Sequence, residues 1–139
     1  MNLSHIPLRL VTGAFILNSG LAKRNLDKES AAGLQAMGSR VIPQISALEP
    51  ERFGKLLSYA ETALGLSLLL PFVPSRLAGA GLAAFSGSLF TMYLKTPGFT
   101  LDDGIRPSPQ GTGFAKDIWM LGIAVALILD PKRKTMKRT

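Results

Sequence analysis

Four apolar segments of this chain have the composition of membrane-crossing helices once their flanking residues are included. Their longest runs without a charged residue contain 13, 14, 18 and 12 residues, in chain order. A spanning helix needs about 17–25 apolar residues, so only the third run is long enough by itself. We predict an all-α fold, a four-helix transmembrane bundle, with helices at about 6–24, 50–70, 75–94 and 112–130. A soluble helical bundle is the alternative that this pattern leaves open.

The stretch 26–50, between the first two predicted helices, is too polar to cross a bilayer. Its apolar residues recur every three or four positions, at Leu34, Met37, Val41, Ile45 and Leu48. This spacing predicts an amphipathic segment that lies on the membrane or caps the bundle and bends at Pro43, with a polar loop as the alternative. The other long connection, 95–112, is rich in Pro and Gly. There we expect Asp102 and Asp103 to form a turn and not a metal site.

Charge and cysteine content narrow the functional classes. The chain has no cysteine, which excludes disulfides, thiolate metal ligands and a cysteine nucleophile. Its net charge is +7, and five of its sixteen basic residues lie in the last eight positions. No zinc-ligand spacing, phosphate loop or aromatic-basic pattern accompanies them, so we expect an anchor at anionic lipid and no nucleic-acid partner. We therefore divide the chain into a membrane domain, 1–131, and a basic cytoplasmic tail, 132–139.

The same charge distribution predicts an orientation. An even number of crossings puts both termini on one side, and the basic tail makes that side cytoplasmic. The apolar run near the N-terminus lacks a basic flank at its start, so we expect a retained first helix and not a cleaved signal peptide.

Ionisable residues inside the apolar segments are the best clue to function. A charge near the centre of a bilayer costs roughly 3 kcal/mol, so such residues are expected to face the bundle interior and pair with one another. At 100° per residue, one face of the first helix carries His5, Arg9, Gly13, Gly20 and Lys23. We expect Arg9 to pair with Glu61 in the second helix. Lys23 and Asp117, at the start of the fourth helix, form a second predicted pair.

Two interpretations of these charges remain open. In one, ion pairs fix the register of the helices and do no chemistry. In the other, Arg9, Lys23, Glu61 and Asp117 line a polar interior that binds a proton, a quinone or another small ligand. No nucleophile with a base and no cluster of metal ligands is visible, so no catalytic residue and no metal site is predicted. Small residues in the third helix predict close helix packing: Gly79, Ala83 and Gly87, and in a second row Ala80, Ala84 and Ser88.

Several motifs follow one another in a fixed order along the chain. Arg9 and Gly13 precede the sequence Gly20-x-x-Lys23, Glu61 is followed by Gly65, and the fourth helix opens with Lys116-Asp117-Ile118-Trp119. This order resembles the DoxX-like family of bacterial integral membrane proteins, over the four apolar segments but not over the two polar connections. The resemblance implies a four-helix bundle in the bacterial inner membrane, with Arg9, Lys23, Glu61 and Asp117 as its polar positions.

The resemblance also frames the expected function. The family takes its name from the small subunit of a thiosulfate:quinone oxidoreductase, an activity that transfers poorly to a chain without cysteine or a cofactor motif. We expect a non-catalytic accessory or structural subunit of a membrane assembly, with redox or quinone linkage as one option. The alternatives are binding or movement of a small molecule or proton through the polar interior, and the small subunit of a quinone-reactive oxidoreductase. The expected partners are the lipid bilayer and other membrane-protein subunits. No cofactor is predicted from the residues, and a quinone is the candidate that the resemblance leaves open.

Overall fold

A computed structural model describes residues 3–115 and 117–129, which are helical with irregular connections. The α-helices are α1 (His5–Ala22), α2 (Lys28–Gly38), α3 (Pro50–Leu69), α4 (Ser75–Lys95), α5 (Thr112–Ala115) and α6 (Asp117–Ile128). A short 3-10 helix, Pro43–Ala47, lies between α2 and α3. No strand occurs in these ranges, so the predicted all-α class is confirmed. The predicted basic tail, 132–139, lies outside the described residues.

Helix length and composition support fewer crossings than the sequence predicts. Within the described ranges, α4 is the one helix that is long and apolar enough to cross a membrane. Helix α6 is apolar but has only 12 residues. Length and composition therefore identify one candidate crossing, and the bundle of four crossings stays a prediction.

The segment predicted to be amphipathic is helical, which excludes the loop alternative. Asp27 caps α2, and its carboxylate accepts a hydrogen bond of 2.7 Å from the backbone N–H of Ser30. Hydrogen bonding to Ser30 lowers the pKa of Asp27. Pro43 begins the 3-10 helix, where its fixed φ suits a first helical position and its missing N–H costs no bond.

Two close helix pairs form the bundle, α1 with α3 and α4 with α6. The antiparallel helices α1 and α3 touch through glycines. A Cβ on Gly20 would lie 2.6 Å from the backbone nitrogen of Thr62, and one on Gly65 would lie 2.6 Å from that of Leu17. Such approach is open only to glycine, because any side chain would collide with backbone that cannot move aside. A buried hydrogen bond of 2.7 Å from Ser58 Oγ to the carbonyl of Gly20 links the same two helices.

Polar and apolar residues are distributed against the usual rule for soluble proteins. Arg9 is 2% exposed and Glu61 4%, while Val11 is 71% exposed and Trp119 74%. The apolar core is small and is formed by Ile16, Leu68, Ala78, Leu82, Ala124 and Leu127. Charged groups therefore lie among the buried residues, whereas large apolar side chains cover much of the outside.

Candidate ligand cavity

Arg9 fastens α1 to the turn between α3 and α4. Its guanidinium donates to four backbone carbonyls, those of Ser67, Leu68, Leu70 and Val73, at 2.8 to 2.9 Å. It also donates to Ser75 Oγ at 3.1 Å. Ser75 is the first residue of α4, after Pro74 at the N-cap position.

The predicted pair between Arg9 and Glu61 is wrong. Because α1 and α3 are antiparallel, Arg9 in the second turn of α1 lies beside the end of α3. Glu61 is seven residues earlier in α3, about 10 Å away along the axis. Arg9 reaches carbonyls at the end of α3, where the last backbone C=O groups have no partner within the helix. These carbonyls stabilise the positive charge of the guanidinium in place of a carboxylate.

Glu61 instead pairs with Lys23, at the C-terminal end of α1. Lys23 Nζ lies 2.8 Å from Glu61 Oε2 and 2.6 Å from Ser19 Oγ. Ser19 Oγ also donates to Glu61 Oε2 at 3.2 Å. The side chain of Glu61 is almost fully buried and that of Lys23 is 19% exposed. Lys23 therefore does not form the predicted pair with Asp117, because α1 packs along α3 and only touches α6.

A cavity of about 360 Å³ lies beside this ion pair. Helices α1, α3, α4 and α6 form its walls, and α2 with the 3-10 helix lies across one side. Its polar lining residues are few: Ser19, Lys23, Glu61, Ser88 and Asp117. The other lining side chains are aromatic or aliphatic, among them Phe15, Phe53, Leu57, Phe85, Met92 and Met120. Volume and lining both match those of small-molecule sites, which span about 300–1,000 Å³ and combine apolar walls with a few polar groups.

The cavity brings together three of the four predicted polar positions. Lys23, Glu61 and Asp117 line it, while Arg9 lies elsewhere, at the α3–α4 turn. Its apolar lining residues carry no signal in the sequence that sets them apart from ordinary core residues. The heptad-like spacing of Leu34, Met37, Val41 and Ile45 does predict an apolar face, and these four side chains line the cavity.

Gln35 is a structural residue that the polar pattern of α2 does not reveal. Its side chain is buried, and its amide donates to the carbonyls of Ile45 and Leu48 at 2.8 and 2.6 Å. These bonds hold the 3-10 helix against α2 and keep the apolar face of both turned to the cavity.

Two smaller pockets adjoin the cavity. A groove of about 210 Å³ between α1 and α6 shares Phe15, Asp117 and Met120 with it. A polar pocket of about 200 Å³, at the end of the bundle where α1 ends and α3 begins, shares Lys23 with it. The cavity thus shares lining residues with a groove on one side of the bundle and with a polar pocket at one end.

The small residues of α4 differ in their surroundings. A Cβ on Gly79 would lie 2.8 Å from Leu127 Cβ and 3.0 Å from the carbonyl oxygen of Ala124, so α4 and α6 meet closely there. Ala83 packs against the core, whereas a Cβ on Gly87 would have no neighbour within 4 Å. The second row, Ala80, Ala84 and Ser88, is exposed.

The cavity offers binding groups and no recognisable catalytic set. Among the described residues, no group of three or more His, Cys, Asp or Glu side chains could hold a metal ion. Asp103, at the tip of the 95–112 connection, forms the turn predicted there, since its carboxylate accepts from the backbone N–H groups of Ile105 and Arg106. No family model, curated protein or solved structure matches the chain.

Proposed function

We propose that this protein is a multi-pass membrane protein that binds a small amphipathic molecule inside its helix bundle. The observation that carries the proposal is the cavity of about 360 Å³ with the Lys23–Glu61 pair on its wall. In this proposal the apolar walls hold the body of the ligand and the ion pair meets its polar part. A quinone, the ligand class that the family resemblance suggests, fits this description.

The distribution of polarity supports a bilayer as the surroundings. An exposed apolar surface of this extent is unusual for a soluble monomer, whereas in lipid it replaces the polar surface that water requires. In the proposal α1, α3, α4 and α6 all cross, in a DoxX-like bundle of the bacterial inner membrane with both termini cytoplasmic. The 18 residues of α1 span about 27 Å, close to the 30 Å of a hydrocarbon core. The shorter α6 needs its flanking residues to complete a crossing.

The position of the ion pair favours binding over a purely structural role. A pair that only fixes helix register is best enclosed by packed side chains, because each charge then keeps a constant partner. Lys23 and Glu61 instead border open space, together with Ser19 and Asp117. The groove between α1 and α6 offers a route from the apolar outside. The accessory-subunit role stays a prediction, to be tested by identifying co-purifying membrane proteins.

The proposal is tested by filling the cavity with a matched pair of substitutions. Leu57 lines the cavity, and its neighbour Leu56 is half exposed and does not. The wild type, Leu57→Trp and Leu56→Trp are purified from membranes, and mass spectrometry compares their bound small molecules with the bulk membrane extract. We expect a compound enriched on the wild type and on Leu56→Trp, and lost from Leu57→Trp, because an indole ring occupies its space.

The same preparations supply the folding control. Elution as a single species and an unchanged thermal unfolding midpoint for Leu57→Trp show that the bundle is intact. If the wild type enriches no compound, or if an intact Leu57→Trp protein enriches it equally, the cavity is not a binding site.

A further inference from the structure

The polar pocket at the end of the bundle is rich in cations. It is lined by Lys23, Arg24, Asn25, Leu26, Glu51, Gly54 and Lys55. Glu61 already balances Lys23, and Glu51 offsets one of the two remaining cations. Arg24 and Lys55 form no ion pair with any residue in the described ranges. The residues that line the pocket therefore have a net positive charge.

Two further features favour an anion there. The pocket includes the first turn of α3, a helix of 20 residues, and the partial positive charge of a helix N-terminus attracts anions. Arg24 and Lys55 are exposed side chains with free donors, so an anion can reach them without first breaking a bond.

Lys23 joins this pocket to the apolar cavity. Its side chain lines both spaces, and its Nζ points to Glu61 and Ser19 on the cavity side. A molecule with an apolar chain in the cavity would therefore have its head at Lys23, within the polar pocket. Asp117, the other acidic residue of the cavity besides Glu61, does not line the polar pocket.

We propose that the ligand of this site is an anionic amphiphile, with its chain in the cavity and its carboxylate or phosphate head held by Arg24 and Lys55. This inference rests on the proposed function and adds the chemistry of the head group. The head would lie at the end of the bundle, the depth at which lipid head groups meet a membrane protein. Carboxylate and phosphate share this recognition, since both accept charge-assisted bonds from guanidinium and ammonium groups.

The test uses four probes with one chain length and different heads. Tritiated dodecanoate is bound to the full-length protein in nanodiscs, with empty nanodiscs as the blank, and is displaced with unlabelled dodecanoate, dodecyl phosphate, dodecanol or dodecylamine. We expect both anions to compete and the alcohol and amine to compete at least about tenfold less well, as expected for loss of one charged hydrogen bond. The stronger of the two anions identifies the natural head group.

Substitutions then locate the head. Arg24→Gln combined with Lys55→Gln should weaken the binding of dodecanoate about tenfold. The concentration of dodecanol that displaces the dodecanoate still bound should not change. Lys28→Gln combined with Arg52→Gln removes the same charge from exposed basic residues that do not line the pocket, and should have no such effect.

The outcomes separate this inference from the proposed function. If dodecanol or dodecylamine displaces dodecanoate as well as the anions do, or if the two double variants behave alike, the head-group assignment is wrong and the cavity still binds. If no probe binds above the blank and wild-type protein also enriches no membrane compound, both proposals fail.

Discussion

At the scale of single residues, Arg9 shows how a buried cation can be satisfied without a carboxylate. Its guanidinium contacts the last carbonyls of α3, the turn that follows and the first residue of α4. The five N–H donors of a guanidinium suit this set, because the acceptors come from three consecutive segments of the chain. One side chain thus joins α1 to the hairpin formed by α3 and α4.

Arg9→Met should destabilise the protein. Methionine has a side chain of similar length but no hydrogen-bond donor, so partly buried carbonyls lose their partner. The expected loss in the free energy of unfolding is about 1–3 kcal/mol. Chemical unfolding in mixed micelles, followed by circular dichroism, measures this free energy. Arg52→Met, which replaces an exposed arginine on α3, is the control. Equal stability of the two variants would contradict the role assigned to Arg9.

The residues that face the interior could be predicted, but their partners could not. The helical wheel places His5, Arg9, Gly13 and Gly20 on one face, and the structure buries all four. It says nothing about the register between α1 and α3, which the close glycine contacts at Gly20 and Gly65 determine. In that register Lys23 lies beside Glu61, and Arg9 lies beside the end of α3. Both pairs predicted from the sequence are therefore wrong.

At the scale of helices, the row of small residues on α4 meets α6 at one position and open space at another. Gly79 lies against the backbone of α6, whereas Gly87 borders open space, although both belong to the same row of small residues. Spacing alone predicts equal roles for these positions. The structure assigns them different roles because the α6 backbone approaches Gly79, whereas no atom of the described residues lies close to the face of α4 at Gly87.

Gly79→Ala and Gly87→Ala should therefore have opposite effects. At Gly79 the new Cβ meets Leu127 and the α6 backbone, and overpacking of this kind costs about 1–3 kcal/mol. At Gly87 it meets nothing, and the higher helix propensity of alanine should add up to about 1 kcal/mol. The thermal unfolding midpoints of the two variants measure the difference. A Gly79→Ala protein as stable as Gly87→Ala would show that α4 and α6 do not pack so closely.

Helix boundaries were the most predictable part of the fold. Proline and periodicity place α3 at 50–70 and α4 at 75–94, within one residue of the observed ends. The cavity was not predictable, because the six helices around it are spread along the chain and its apolar lining residues resemble ordinary core residues. Gln35 illustrates the same limit, since its two acceptors depend on how the chain turns after α2.

At the scale of the whole molecule, the protein has its charges inside and many of its large apolar side chains outside. A folded protein pays for a buried ion pair with desolvation, so such pairs are weak contributors to stability in water. In a bilayer, exposing the same charges to acyl chains costs more than burying them as a pair, so pairing inside the bundle is favoured. The buried Lys23–Glu61 pair and the exposed apolar surface are therefore both favourable in a bilayer.

Trp119, the single tryptophan, reports on this surface. It is largely exposed on α6, so in liposomes its fluorescence should be quenched by lipids with brominated acyl chains and little by aqueous iodide. A Trp119→Phe/Leu101→Trp variant moves the only indole to the exposed connection after α4 and should show the reverse. Strong iodide quenching of the wild type, equal to that of the variant, would contradict insertion of α6 into the bilayer.

The bonds made by Arg9 also have a consequence during synthesis. The acceptors of its guanidinium are 58 to 66 residues further along the chain, so they do not yet exist when α1 leaves the ribosome. Until 67–75 emerge, the nascent first helix carries a cation that only water, a lipid phosphate or the insertion machinery can accommodate. In the proposed membrane bundle, release of α1 into the lipid should therefore wait for 67–75, which makes α1, α3 and the start of α4 a single unit of assembly.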